Sequence, residues 1–261
     1  MVDTTGLLTL AAVQGLAEFL PVSSSGHLVL AERALGIESP GPALELFLHL
    51  GTLFSICAVY RRTLARLLSS ALHGGREGLR YAAFVVLSMV PTFAGYVVVK
   101  KAAGGVFDAP RAVGWLMVAN GALLLLSAVT DRVRPGGGGP TAKRAFAMGL
   151  GQALAVLPGI SRSGTSIHAG RLAGMSPAKA AEFSFLMSVP VIAGAVVLEC
   201  GDGGAGAFAG LSAGQAVLAT AVSALVGCVA LRLVLKVVER GKFWTFGIWC
   251  AGIGAASLLF G

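Results

Sequence analysis

Apolar residues in this chain come in long blocks rather than alternating with polar ones. Six blocks are long enough to cross about 30 Å of hydrocarbon as helices. They cover residues 42–60, 81–100, 112–130, 182–200, 212–236 and 243–260. Two further apolar blocks, 6–35 and 143–174, are interrupted midway by PVSSSGH and PGISRSGTS. Irregular backbone at membrane depth is tolerated only where protein or a watery cavity covers it. The pattern therefore predicts an all-α polytopic membrane protein of six transmembrane helices plus two re-entrant helical hairpins.

The two interrupted blocks are related. A shift of 138 residues pairs Gln14 with Gln152, Leu16 with Leu154, Ala17 with Ala155 and Ser23 with Ser161. The same shift pairs Ser25 with Ser163, Gly26 with Gly164, Arg33 with Arg171 and Gly36 with Gly174. The chain reads as a duplication with halves at 1–135 and 140–261, joined by the glycine-rich Pro135–Pro140 linker. Three spans separate the hairpins, so the second repeat is inverted, as in membrane folds whose broken helices meet at a central site.

Charge placement orients this arrangement. Basic clusters recur on alternate loops: Arg61, Arg62, Arg66, Arg76 and Arg80; then Arg132, Arg134, Lys143 and Arg144; then Arg232, Lys236, Arg240 and Lys242. The positive-inside rule assigns such loops to the cytoplasm. The first hairpin then enters from outside, the second from inside, and both termini lie outside.

Composition excludes the main alternatives. Only 12% of the 261 residues are charged, 56% are apolar, and mean hydropathy is +0.82. Soluble domains carry about 25% charged residues. The net charge of +8 sits in span-flanking loops, which argues against a nucleic-acid partner. Cys57, Cys200, Cys228 and Cys250 lie far apart with no CxxC pair, so neither zinc nor a disulfide framework is expected. Residues 1–5 lack the basic start of a cleaved signal peptide.

The chemistry concentrates in the two breaks. Gln14 and Glu18 are four residues apart on one helical face, leading into Ser23, Ser24, Ser25, Gly26 and His27. A helix beginning near Gly26 would aim its N-terminal amides at the serine loop. An ionisable residue in an apolar hairpin is a functional candidate by default. The second break sets Arg162 among Ser161, Ser163, Gly164, Thr165 and Ser166. Arginine offers a planar fork suited to phosphate; its structural alternative is an ion pair with Glu18. An anion clamp, a carboxylate and an imidazole together suit phosphoryl transfer, where positioning and electrostatics do most of the catalysis. Either Ser24 or His27 serves as the nucleophile in this reading.

QGLAEFLPVSSSGHL and LPGISRSGTS resemble the two signature motifs of the undecaprenyl-diphosphate phosphatase family of bacitracin-resistance type. The resemblance extends through ELFLHLG at 45–51 and AEFSFLMSVP at 181–190. It implies hydrolysis of a polyprenyl diphosphate lipid carrier at the outer face of the bacterial inner membrane. Glu18, Ser24, His27 and Arg162 take the catalytic positions. Gln14, Ser23, Ser25, Gly26, Ser161, Ser163, Gly164, Thr165 and Ser166 take the substrate-binding ones. Gln14 stands where many members carry Glu, and Ser166 where Thr is common. The resemblance also implies a divalent cation, Mg²⁺ or Ca²⁺, with Glu18 as its protein ligand, and leaves a homodimer open.

A second class of function fits the repeats alone: a transporter or flippase for a lipid phosphate or anion. Transport needs Arg162 and the serines but no proton-transfer group, so Glu18 and His27 favour hydrolysis. Glu45 and His49, four apart in the first span, either support the site or line its cavity. Glu182 and Glu199 fall near the ends of a span, and His73 in a basic loop. His168 has at most a supporting role.

Overall fold

The computed structural model describes residues 3–37, 42–103, 110–133, 136–203 and 211–260. These residues form eleven helices: α1 (Thr4–Ala17), α2 (Ser24–Ala34), α3 (Pro42–Val59), α4 (Arg61–Leu72), α5 (Arg76–Ala103), α6 (Pro110–Val133), α7 (Ala142–Leu154), α8 (Arg162–Leu172), α9 (Pro177–Gly203), α10 (Ala213–Glu239) and α11 (Thr245–Phe260). Among the described residues the one β-type pairing is an isolated bridge between Gly138 and Met175. Arg134, Pro135 and the side chains of Arg132, Glu199 and Cys200 lie outside the described set. Cys57, Cys228 and Cys250 are free thiols.

Among the described residues three helices are long and apolar enough to cross a membrane: Arg76–Val99 of α5, Arg111–Val129 of α6, and α10. A fourth results if α3 and α4 count as one span bent by 79°. The protein is an integral membrane protein on this ground. Its apolar surface agrees, because Val86, Val90 and Phe93 of α5 and Leu225 of α10 stand exposed on helices whose environment is lipid. The six apolar blocks of the sequence fall on α3, α5, α6, α9, α10 and α11, and the two broken blocks on α1–α2 and α7–α8.

One stretch departs from expectation. Residues 61–72, read as part of a basic loop, form the helix α4. The reason is local: RRTLARLLSSAL contains no proline or glycine, and Leu64, Leu67, Leu68 and Leu72 recur at helical spacing.

Packing across the middle uses small residues and hydroxyls, as expected where apolar contact alone gives no preference over lipid. At Gly15 a Cβ would lie 2.6 Å from the Ser223 carbonyl oxygen, so only glycine lets α1 cross α10 this closely. Ser223 Oγ donates to the Leu48 carbonyl at 2.8 Å, and Ser55 Oγ to that of Ala224 at 2.8 Å, stitching α3 to α10. Phe19, Phe183 and Phe185 are fully buried, with Phe19 and Phe185 packed edge to face at 5.8 Å between centroids. This aromatic contact joins the loop after α1 to α9.

Candidate active site

Each broken block turns on a serine. Ser23 caps α2, its Oγ accepting the Gly26 N–H at 3.3 Å. Ser161 caps α8, its Oγ accepting the Gly164 N–H at 3.1 Å. Serine is favoured there because its oxygen satisfies an otherwise unpaired first-turn amide. The 138-residue correspondence is thus carried down to single hydrogen bonds. Ser23 has φ +70° and is the one non-glycine residue with positive φ among those described. Backbone held in so sparsely populated a region is over-determined by its surroundings, and such residues cluster at functional sites.

The two turns meet. Asn120 of α6, fully buried, donates from Nδ2 to the Pro21 carbonyl at 3.1 Å and accepts the Ser161 N–H on Oδ1 at 3.1 Å. Ser163 Oγ donates to the Leu20 carbonyl at 3.3 Å and bonds Ser161 Oγ at 3.1 Å. These contacts hold the start of α8 against the loop before α2.

Glu18 is the hub of the junction. Its Oε2 accepts Ser24 Oγ at 2.8 Å and Gln14 Nε2 at 3.1 Å, while Oε1 pairs with Arg162 Nη2. Gln14 Nε2 also reaches His49 Nδ1 at 3.0 Å, which makes that ring nitrogen the acceptor. Two buried atoms here have no hydrogen-bond partner among the described residues: Arg162 Nη1 and Gln14 Oε1. Leaving a buried polar group unpaired costs about 1–3 kcal/mol. Unpaired groups at a polar junction are therefore the groups a polar ligand would satisfy. Arg162 has one arm on Glu18 and one arm left over.

His27 is held differently. Its Nδ1 lies 2.9 Å from the Ser23 carbonyl, and Trp249 of α11 donates its indole N–H to Nε2 at 2.9 Å, the rings inclined by only 9°. A carbonyl can only accept and an indole N–H can only donate. Both contacts are satisfied together by the neutral imidazole with its proton on Nδ1 and its lone pair on Nε2.

The structure thus gathers Gln14, Glu18, Ser24 and Arg162 into one cluster, with Ser23, Gly26, Ser161, Ser163 and Gly164 building its frame. Ser25 is exposed and bonds Ser23 Oγ at 3.3 Å. His27 stands at the same turn but bonds Ser23 and Trp249 instead of the Glu18 cluster. Thr165 and Ser166 point elsewhere: Thr165 Oγ1 donates to the Ser161 carbonyl at 2.9 Å, and Ser166 Oγ lies 2.6 Å from the Arg162 carbonyl and 2.7 Å from Ser184 Oγ. Thr165 thus bonds within the first turn of its own helix, and Ser166 ties α8 to α9.

Sequence reading missed Asn120 and Trp249. Asn120 left a signal, a lone amide inside the apolar run WLMVANGALLLL; Trp249 left none, since an indole in an apolar span looks like a lipid contact. His49, read as either supportive or lining, is within hydrogen-bond reach of Gln14. Among the described residues no group of three or more His, Cys, Asp or Glu side chains converges to hold a metal. The hard oxygens that could face a cation are the Glu18 carboxylate and the unpaired Gln14 Oε1. That donor set suits a divalent cation only where phosphate oxygens complete its shell.

The fold is that of a polytopic helical membrane protein, with a carboxylate, a hydroxyl and a half-used guanidinium where two helix N-termini meet. The chain belongs to the bacitracin resistance protein BacA family, whose model matches residues 7–256. Relatives named undecaprenyl-diphosphatase cover nearly its whole length. Those of Desulfosudis oleivorans and Salinibacter ruber are each 38% identical, over 97% and 96% of this chain and 97% of either relative. That of Methanobrevibacter smithii is 33% identical over 97% of this chain and 95% of its own.

Proposed function

We propose that this protein hydrolyses undecaprenyl diphosphate to undecaprenyl phosphate and inorganic phosphate, with Ser24, Glu18 and Arg162 at the reacting centre. The observation that carries the reading is the Ser24 Oγ–Glu18 Oε2 hydrogen bond of 2.8 Å, with Arg162 on the other carboxylate oxygen. A hydroxyl beside a carboxylate is a nucleophile beside its base. A transporter needs an anion clamp but no such pair.

In this reading Ser24 Oγ attacks the terminal phosphorus, its proton passes to Glu18 Oε2, and undecaprenyl phosphate leaves. Water then releases phosphate from the serine. Arg162 Nη1 and the N-terminal amides of α2 and α8 receive the phosphate oxygens, where charge accumulates in the transition state. His27, neutral with its lone pair on Nε2 and its ring oriented by Trp249, serves proton transfer. Direct attack by His27 has less support, because both its nitrogens are engaged outside the Glu18 cluster. A Mg²⁺ or Ca²⁺ ion would be held by Glu18, Gln14 Oε1 and the lipid's own phosphates, and would neutralise phosphate charge.

The same reading places the protein in the bacterial inner membrane with its site open to the outer face. α1–α2 and α7–α8 are re-entrant hairpins, and the six spans form inverted halves. Support comes from the paired serine caps and from the exchange of partners between halves, α1 packing on α10 and α7 on α5. Phosphate release from undecaprenyl diphosphate by purified protein, with and without chelator, tests the activity. Release by the wild type and its loss in Ser24→Ala are expected; equal release by both would remove Ser24 from the mechanism.

A further inference from the structure

We propose that a second anion site, outside the hydrolytic centre, lies where α4, α5 and the start of α9 converge, and that it takes the phosphate headgroup of an acidic phospholipid. A cavity of about 400 Å³ opens there, lined by Arg66, Arg76, Arg80 and Lys179 and by two carboxylates, Glu77 and Glu182. Arg66 pairs with Glu77 at 3.7 Å and Lys179 with Glu182 at 3.3 Å. Arg76 and Arg80 make no ion pair among the described residues, so the cavity keeps two uncompensated guanidinium groups.

These cations are set in a built frame. A Cβ at Gly78 would collide with the Leu67 carbonyl and the Ala71 amide, so the glycine lets α5 close directly on α4. Ser70 Oγ caps the same corner by accepting the Gly78 N–H at 3.1 Å. The opposite wall is the Gly139–Pro140 segment, pinned by Arg144 Nη1 donating to the Gly139 carbonyl at 2.8 Å. The Arg80 guanidinium lies over the Phe84 ring, 5.6 Å from its centroid, which orients the planar fork while leaving its N–H edges available.

A second observation points to a ligand. Tyr81 lines the cavity, and its buried hydroxyl has no hydrogen-bond partner among the described residues. A phosphate or ester oxygen would accept that proton. The apolar side chains Leu67 and Phe84 on the same wall suit the glycerol and first acyl carbons rather than a fully hydrated ion. The site stands at the Arg76 end of the α5 span, where basic pockets between membrane helices meet lipid headgroups.

The test uses the full chain in zwitterionic detergent, following thermal stability as short-chain phosphatidylglycerol, short-chain phosphatidylcholine or inorganic phosphate is added. Phosphatidylglycerol is expected to raise the melting temperature saturably. Phosphatidylcholine should leave it unchanged, and phosphate should act only at far higher concentration. In R76Q/R80Q the apparent affinity for phosphatidylglycerol should fall at least tenfold, and in Tyr81→Phe by a smaller factor. A paired control, R232Q/K236Q, should keep the response. Turnover of the R76Q/R80Q protein in detergent should match wild type, which separates this site from the hydrolytic reading. Equal stabilisation by the two lipids, or an unchanged response in R76Q/R80Q, overturns the site. Protection by phosphate at the same concentrations overturns the lipid as its occupant.

Discussion

Glu18 receives Ser24 and Gln14 on one oxygen and Arg162 on the other, so every change around it is felt at the carboxylate. In the proposed mechanism Ser24→Ala removes the attacking oxygen, and phosphate release should fall by orders of magnitude with the melting temperature nearly unchanged. Near-normal turnover would show that another group attacks. Trp249→Phe keeps the ring and deletes the one N–H that holds His27 Nε2. A net hydrogen bond is worth about 0.5–1.5 kcal/mol, so a loss of roughly two- to tenfold in kcat is expected. The loss should vanish in a His27→Gln background, since Trp249 acts only through that ring; an equal loss in both backgrounds would separate the two residues.

At the scale of elements, the site exists because two short helices start at the same place, and Asn120 is the bolt between them. One amide bonds Pro21 of the first turn and Ser161 of the second. Asn120→Leu would strand the buried Ser161 N–H, at about 1–3 kcal/mol, and leave the Pro21 carbonyl only the Cys250 thiol at 3.6 Å. The variant should melt earlier, and turnover per folded molecule should drop because the loops lose their register. A folded, fully active Asn120→Leu protein would mean that the loops are aligned by other contacts. The elements themselves were legible in sequence, since long apolar blocks have few other solutions in a membrane. Helix α4 was not, because its arginines masked a leucine stripe that only packing on α5 reveals. Nor was the inward turn of Thr165 and Ser166. Hydroxyls beside an arginine look alike on paper, and their direction is fixed by Ser184 and by carbonyls one turn back.

For the whole molecule, the pairing of residues at a 138-residue offset and their matching caps support a pair of inverted halves. Epitope tags at the two termini of intact cells should both be reachable from outside; protection of both would reverse the proposed orientation. The candidate site was legible as a set of residues but not as a geometry. Arg162 was open to two readings, an anion clamp or an ion pair with Glu18. The structure gives it one arm for Glu18 and a second, buried arm without a partner among the described residues.

That divided arginine makes Arg162→Lys the most direct measurement. Lysine keeps the charge and can still meet Glu18, but it cannot offer the second arm of the planar fork. Losing a charge-assisted hydrogen bond costs about 1.5–3 kcal/mol, or roughly ten- to a hundredfold in rate when the loss falls on the transition state. Phosphate release from undecaprenyl diphosphate, measured on purified wild type and Arg162→Lys of matched thermal stability, should therefore differ at least tenfold. Equal rates would contradict the clamp and leave Arg162 as the structural partner of Glu18.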